Sequence, residues 1–405
     1  MAESFSIPRG FRFGGTSCGL KRSGAPDLAL IVADTTASAA AAFTSNRVQA
    51  APVVVSMEHL ARSRGRMRTI VVNSGNANCC TGRAGLAASR NTARALASHL
   101  GCRIEQVLVC STGVIGVPLA VEKIIAGLPA LLPDLGTGPE AFARLARAIL
   151  TTDTRPKTAS ERVRLGGHTV RIAGCTKGAG MIAPQLQMRH ATTLAFVLTD
   201  AAISPALLKR ALAAVTGPTF NSITVDGDTS TNDTLAVIAS GASGARIASA
   251  RTAGFSLFVR ALERVCRSLA MQIVADGEGA RHLIEIDVRR APDDRAAARV
   301  ARTIAESPLV KTALAGADPN WGRILAAAGR AGVVFDPAKT DIVLAGVPVF
   351  RRGRPLPFDE KTTHERMSEP RYTMRVDLRA GAGRARMWTC ELSEGYVRIN
   401  ADYRT

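Results

Sequence analysis

Two adjacent threonines, Thr192 and Thr193, stand where a Gly-rich, Pro-interrupted loop, KGAGMIAP at residues 177–184, leads toward an apolar run at residues 194–198. The length and flanks of that run suit a buried strand better than a helix. A threonine at such a junction has one route to chemistry. If the peptide bond between Ala191 and Thr192 is cut, Thr192 carries a free α-amine beside its own hydroxyl, and the amine serves as base for a threonine nucleophile. Taken alone, β-branched residues placed at a strand start for propensity are the commoner reason for a Thr-Thr pair.

Other residue types suited to acyl chemistry recur along the chain. In STGVIG at residues 111–116, an apolar run ends in hydroxyls and a glycine, so a Thr hydroxyl and a Gly N–H could both face a developing oxyanion, which acyl transfer needs most. A short Ser-Thr-Gly turn is the blander account. TTDT at residues 151–154 follows a helix candidate, a place where hydroxyls and Asp more often cap or turn than bind. Lys177 shares its loop with the candidate nucleophile, and its ammonium could hold a substrate carboxylate or stabilise negative charge. Glu278, between Gly277 and Gly279, reads as an exposed turn acid; as a binding group it would pair with the side-chain ammonium of a diamino acid. Asp226, Asp228 and Asp233 have the chemistry of hard-cation ligands, but in this Asp-Gly, Thr-rich loop internal hydrogen bonding is the commoner use, and we read a structural loop bordering the site. The six His form no H-E-x-x-H or close pair, so no metal is expected.

These segments together identify the chain as resembling the ornithine acetyltransferase (glutamate N-acetyltransferase) family, whose members cleave themselves before a threonine. VNSGNAN, STGVIG, KGAGMIAP, ITVDGDTSTNDT, KTALAGADPNWGR and INADYRT carry the resemblance, which runs from Gly10 to Thr405. It implies cleavage between Ala191 and Thr192, Thr192 as nucleophile, and Thr112 and Gly113 as oxyanion hole. It also implies substrate contacts by one of Thr151 and Thr152, by Lys177 and Glu278, and by Asn400 and Thr405 near the C-terminus. The implied reaction moves acetyl from N2-acetylornithine to glutamate through an acetyl-threonine, in arginine biosynthesis. No cofactor is needed for that exchange, and a bifunctional member would also accept acetyl-CoA. Two departures stand out. Residues 185–190 make the loop roughly four residues longer than the family pattern, which relaxes the scissile geometry unless packing compensates. Arg281 and His282 stand where Thr-Lys is expected, leaving substrate preference open.

Positioning these groups requires strands that end at them. Aliphatic runs at residues 28–32, 52–56, 69–72, 107–110 and 170–172 read as strands, and residues 85–100 as a helix stopped by Gly101. Beyond the junction, Ser204-Pro205 and Ser307-Pro308 open helices. A strand is expected to enter the loop at residues 220–234, a long helix at 253–273, a helix at 293–304, and strands at 284–288, 342–344, 372–378 and 387–392. The closing YVRINADYRT reads as a strand. The expected fold is α/β, a layered sandwich of helices on β-sheets of the self-cleaving N-terminal-threonine type. Its parts are an α chain at residues 1–191, a β chain at 192–405, and a C-terminal α/β subdomain from about residue 285.

Composition narrows the function classes. At 405 residues the chain can bury a substantial core, and its 46% hydrophobic and 21% charged fractions are those of a soluble protein. No run of about eighteen apolar residues occurs and the start lacks an apolar leader, so a cytoplasmic protein without membrane contact is expected. Eight Cys spread over so long a chain read as reduced, mostly buried thiols. The net charge of +19 comes with scattered arginines and only 4% aromatic residues, which favours acidic small molecules over specific nucleic-acid binding. Family resemblance adds a homo-oligomer of αβ units. Two other readings stay open: an N-terminal-nucleophile amidase or peptidase passing the acyl group to water, and an uncleaved, non-enzymatic binding protein.

Overall fold

The computed structural model describes residues 5–183 and 193–402. Its larger sheet is built from β1 (Phe11–Thr16), β2 (Leu28–Phe43), β3 (Arg66–Asn76), β4 (Val107–Val114), β5 (Lys157–Leu165), β6 (His168–Lys177), β7 (Leu194–Thr199) and, after a two-residue β8 (Ala202–Ile203), β9 (Thr234–Ala239). The order across it is β4-β3-β2-β9-β7-β6-β5, with β1 on β2, while β8 pairs separately with β10 (Arg246–Ile247). Thus β7 and β9, which follow residue 192, are inserted between β2 and β6, which precede it. β7 runs parallel to β9 and antiparallel to β6.

Helices cover both faces. Before the junction come α1 (Ala51–Arg62), α2 (Gly82–Leu100), α3 (Val121–Leu131) and α4 (Pro139–Ala148); after it come α5 (Pro205–Thr216) and α6 (Ala253–Ala275). Every residue of β7 is buried, as a strand covered on both faces must be. Ala195 and Val197 pack with α5 and α6, whereas Phe196 and Leu198 face the core that holds Phe142 and Leu145 of α4. Ser204 caps α5 through its hydroxyl, and Gly101 ends α2 in the left-handed region, both as expected.

A second sheet begins at Leu283. It comprises β11 (Leu283–Ala291), β12 (Asp341–Leu344), β13 (Val347–Arg351), β14 (Arg354–Pro355), β15 (Arg371–Asp377) and β16 (Gly383–Thr389), ordered β14-β13-β12-β15-β11-β16. With α7 (Asp294–Ala305), α8 (Pro308–Ala315), α9 (Trp321–Gly329) and α10 (Glu360–Met367) it encloses a core of its own. The architecture is α/β, helices layered on sheets. Among the described residues, no helix is long and apolar enough to cross a membrane.

Three expected strands are absent. Residues 52–56 lie in α1, where Pro52 occupies the first turn and the buried Pro52, Ser56 and His59 follow helical spacing. Residues 223–225 form no strand because successive amides go to different partners: Thr224 N–H to the Trp388 carbonyl, Val225 N–H to that of Ile182. The C-terminal segment forms α11 (Glu394–Asp402), and its Val397 and Ile399 are exposed rather than facing a sheet. Conversely, β5 and β9 were not expected; β9 begins inside the polar string that ends the 220–234 loop.

Candidate active site

The ends of these elements enclose a pocket of about 240 Å³. β4 contributes Thr112 and Gly113, the turn after α4 contributes Thr151 and Thr152, and β6 ends in Lys177. Glu278 follows α6, and Asn400 arrives on α11. All seven are expected site residues brought to one cavity from distant parts of the chain. Ala191, Thr192, the long loop at 185–190 and Thr405 lie outside the described residues. The junction's first described residue, Thr193, is buried, and Leu194 beside it pairs with both Lys177 and Thr234, so β7 starts at the pocket.

Gly113 has a φ of 131°, and a Cβ there would stand 2.3 Å from the Gly75 carbonyl carbon and 2.5 Å from the Asn76 nitrogen. Only glycine fits this close approach of β4 to the NSGNAN segment. The amides of that segment serve as scaffold. Asn73 accepts from the Ser111 hydroxyl at 2.6 Å, and Asn232 donates to the Ala77 and Ser111 carbonyls at 2.6 and 2.9 Å. Lys177 Nζ donates to Thr112 Oγ1 at 3.2 Å, which leaves the threonine's own proton free to point elsewhere. Burial lowers the Lys177 pKa, with Asp153 the strongest charge opposing that effect.

At the other end stand carboxylates. Glu278 is buried rather than exposed as expected, because Gly180 lets its carboxylate lie against the backbone and Asn400 Nδ2 donates to it at 2.8 Å. The Gly279 φ of 70° allows α11 to seat on the turn, where a Cβ would fall 2.4 Å from Tyr396 N. Asp226 accepts from the Met181 and Ile182 N–H groups at 2.6 and 2.8 Å, and burial raises its pKa. Asp233 is buried and accepts from the Thr193 N–H; burial pushes its pKa well above the carboxylate range. Among the described residues, no group of three or more His, Cys, Asp or Glu is arranged to hold a metal ion. The pocket therefore offers a cation at one end and acids at the other, a polarity suited to an amino acid with a charged side chain.

Sequence reasoning missed Tyr396, Asn232, Met181 and Gly180, which also line the cavity, and Asp153 behind it. Gly180 and Asn232 lie inside strings already singled out; Tyr396 became visible only once its segment proved helical. Arg281 and His282 do not reach the pocket. Their N–H groups bind the Glu391 carboxylate at 2.7 and 3.1 Å, so they join the turn after Glu278 to the second sheet.

The sequence pattern of the ArgJ family matches residues 12–405. The chain belongs to the ArgJ family. It is 45% identical over 412 residues to the arginine biosynthesis bifunctional protein ArgJ of Thermosynechococcus vestitus, covering 98% of this chain and 97% of that protein. It is 47% identical to the protein of the same name from Thermus thermophilus, over 98% and 99% of the two chains. The crystal structure of ornithine acetyltransferase from Mycobacterium tuberculosis complexed with ornithine is 37% identical, with a TM-score of 0.41, covering 46% of this chain and 97% of that one. This ArgJ-family chain is accordingly an acetyltransferase of arginine biosynthesis. A larger groove of about 870 Å³, between the turn after α5 and α6 on one side and α7 with the second sheet on the other, is rich in arginine, but most of those arginines face acids, as Arg289 does Asp287 and Arg386 does Glu285. It offers less free charge for an amino acid than the Lys177 pocket.

Proposed function

We propose that this protein cleaves itself between Ala191 and Thr192 and then transfers the acetyl group of N2-acetylornithine to glutamate through an acetyl ester on Thr192. The observation that carries the reading is the convergence of Thr112, Gly113, Thr151, Thr152, Lys177, Glu278 and Asn400 on one pocket at the start of β7.

The Thr192 α-amine, with an ordinary pKa of about 8, is matched to a base near neutral pH. It takes the hydroxyl proton as Thr192 Oγ1 attacks the acetyl carbonyl. The Thr112 hydroxyl and the Gly113 N–H then face the oxyanion, with the Lys177 ammonium behind Thr112. As the C–N bond breaks, the Thr192 α-ammonium returns its proton to the departing α-nitrogen of ornithine. Glu278, held by Asn400, pairs with the side-chain ammonium of ornithine. In the second half, the neutral α-amine of glutamate attacks the acetyl-threonine, the Thr192 α-amine takes the proton that this nitrogen sheds, and as the ester C–O bond breaks it passes that proton to Thr192 Oγ1. The exchange calls for no cofactor, with acetyl-CoA as an alternative donor. A cytoplasmic homo-oligomer of αβ units is the assembly we assign to it.

Denaturing mass spectrometry of the purified protein beside Thr192→Ala tests the reading. Two fragments meeting at Ala191/Thr192, absent from the variant, are expected, together with acetyl transfer to glutamate. A single full-length mass would sink the mechanism, and acetate release without transfer would make the protein an amidase.

A further inference from the structure

Behind the pocket lies a buried charge cluster that no step above uses. Lys157, at the start of β5, is fully buried and donates to Asp153 at 2.6 Å and to Asp276 at 2.5 Å. Asp153 also accepts from the N–H of Thr151 at 3.1 Å and of Gly178 at 2.7 Å. Asp276 accepts from the N–H of Thr154 at 3.1 Å and from its hydroxyl. The cluster thus ties the Thr151–Thr152 turn, the residue after Lys177 and the end of α6 before Glu278 into one unit.

Its charge is the informative part. Two buried carboxylates face Lys157, and the largely exposed Arg155 approaches Asp276 at 3.9 Å, so Asp276 has a second cation while Asp153, among the described residues, has Lys157 alone as its ion-pair partner. Lys177 is buried too, and no carboxylate of the described residues stands within salt-bridge distance of its Nζ; the described contact is the Thr112 hydroxyl. A buried ammonium without a counter-charge gives up its proton. The buried carboxylate that reaches the backbone beside Lys177 is Asp153, held one residue away through the Gly178 N–H at 2.7 Å.

We infer that Asp153 is a positioning residue that keeps the Lys177 ammonium charged and directed at the Thr112 hydroxyl during acyl transfer. Other charges facing Lys177 do not replace it. Asp233, ahead of β9, and Glu278, after α6, act in the same direction but more weakly, while Lys157 on β5 acts against. Lys21, half-buried and donating to the Leu150 carbonyl at 2.8 Å, also opposes the Lys177 charge. In the other direction, burial raises the Asp153 pKa, but Lys177 first and Lys157 next outweigh it and bring it to about 2, so Asp153 stays ionised wherever the enzyme works.

The inference rests on the transfer reaction proposed above. The test compares kcat/KM for acetyl transfer from N2-acetylornithine to glutamate between about pH 6 and about pH 9 in wild type, D153N, K177R and D153N/K177R, each referred to the fraction of chains cut at Ala191/Thr192. Asparagine keeps an acceptor for Gly178 and removes the charge. Arginine stays charged throughout that range. Because the active form of Lys177 is the cation, lowering its pKa moves the loss of activity to lower pH. We expect D153N to fall away from wild type as pH rises, by about tenfold per pH unit once Lys177 deprotonates, and D153N/K177R to lack that added alkaline limb. A D153N profile lower by one constant factor at every pH overturns the inference, since that is what a purely structural residue would give. Should D153N not accumulate, wild type against K177R decides. Coinciding alkaline limbs support a cationic Lys177, whereas a wild-type limb abolished by arginine overturns it. A wild type that transfers no acetyl group sinks the transfer reading itself, and this inference with it.

Discussion

At the scale of single residues, the site depends on side chains that glycine admits. Gly180 carries no backbone strain, but a Cβ there would stand 2.3 Å from Glu278 Oε2 and 2.5 Å from its carboxyl carbon. The clash is with the movable end of a side chain rather than with backbone. Gly180→Ala is therefore expected to leave the melting temperature within about 2 °C of wild type while raising KM for N2-acetylornithine about tenfold or more, since a misplacement of about 1 Å is costly in a positioned site. An unchanged KM would remove Glu278 from the binding role. Gly113 differs, because there the obstacle is the backbone of Gly75 and Asn76. Its type was readable in STGVIG; the reason for it was not, since the neighbour lies on another strand.

At the scale of elements, α1 and α11 show where local pattern misleads. A short apolar run such as 52–56 fits strand and helix alike. What decides it is the groove beside β4, where Ser56 Oγ donates to the Val109 carbonyl at 2.7 Å and accepts from its N–H at 2.9 Å. α11 buries no residue, yet it brings Tyr396 and Asn400 to the pocket. A helix that contributes site residues and almost no core is expected to matter for activity far more than for stability. Truncation after Leu392 should shift the melting temperature by no more than about 3 °C and lower kcat/KM by about a hundredfold or more. A large loss of thermal stability would show that α11 holds the fold together instead.

At the scale of the whole molecule, the strand order constrains what cleavage can do. β7 and β9 follow the junction and sit between β2 and β6, which precede it, hydrogen-bonded along both edges. The two products of a cut at Ala191/Thr192 would share one sheet and its cores, so they are expected to elute together under native conditions and to separate only in denaturant. Fragments that part in native buffer would contradict this topology. The net charge of +19 belongs to the same scale: it biases encounter toward anions but does not locate the site. What the sequence determined by itself was the chemistry present and its order, because hydroxyl, amine, ammonium and carboxylate groups are legible as residue types and the strings around them carried the family. It also determined the elements with strong local signals, such as α5 with its Ser-Pro start and the uniformly apolar β7. Tertiary structure alone decided that Glu278 is buried, that the C-terminal segment is a helix, that Arg281 and His282 turn away to Glu391, and that Asp153 stands behind Lys177. Each of these depends on a partner more than one hundred residues away in the chain or on a neighbouring element's backbone, and no local propensity encodes such a meeting.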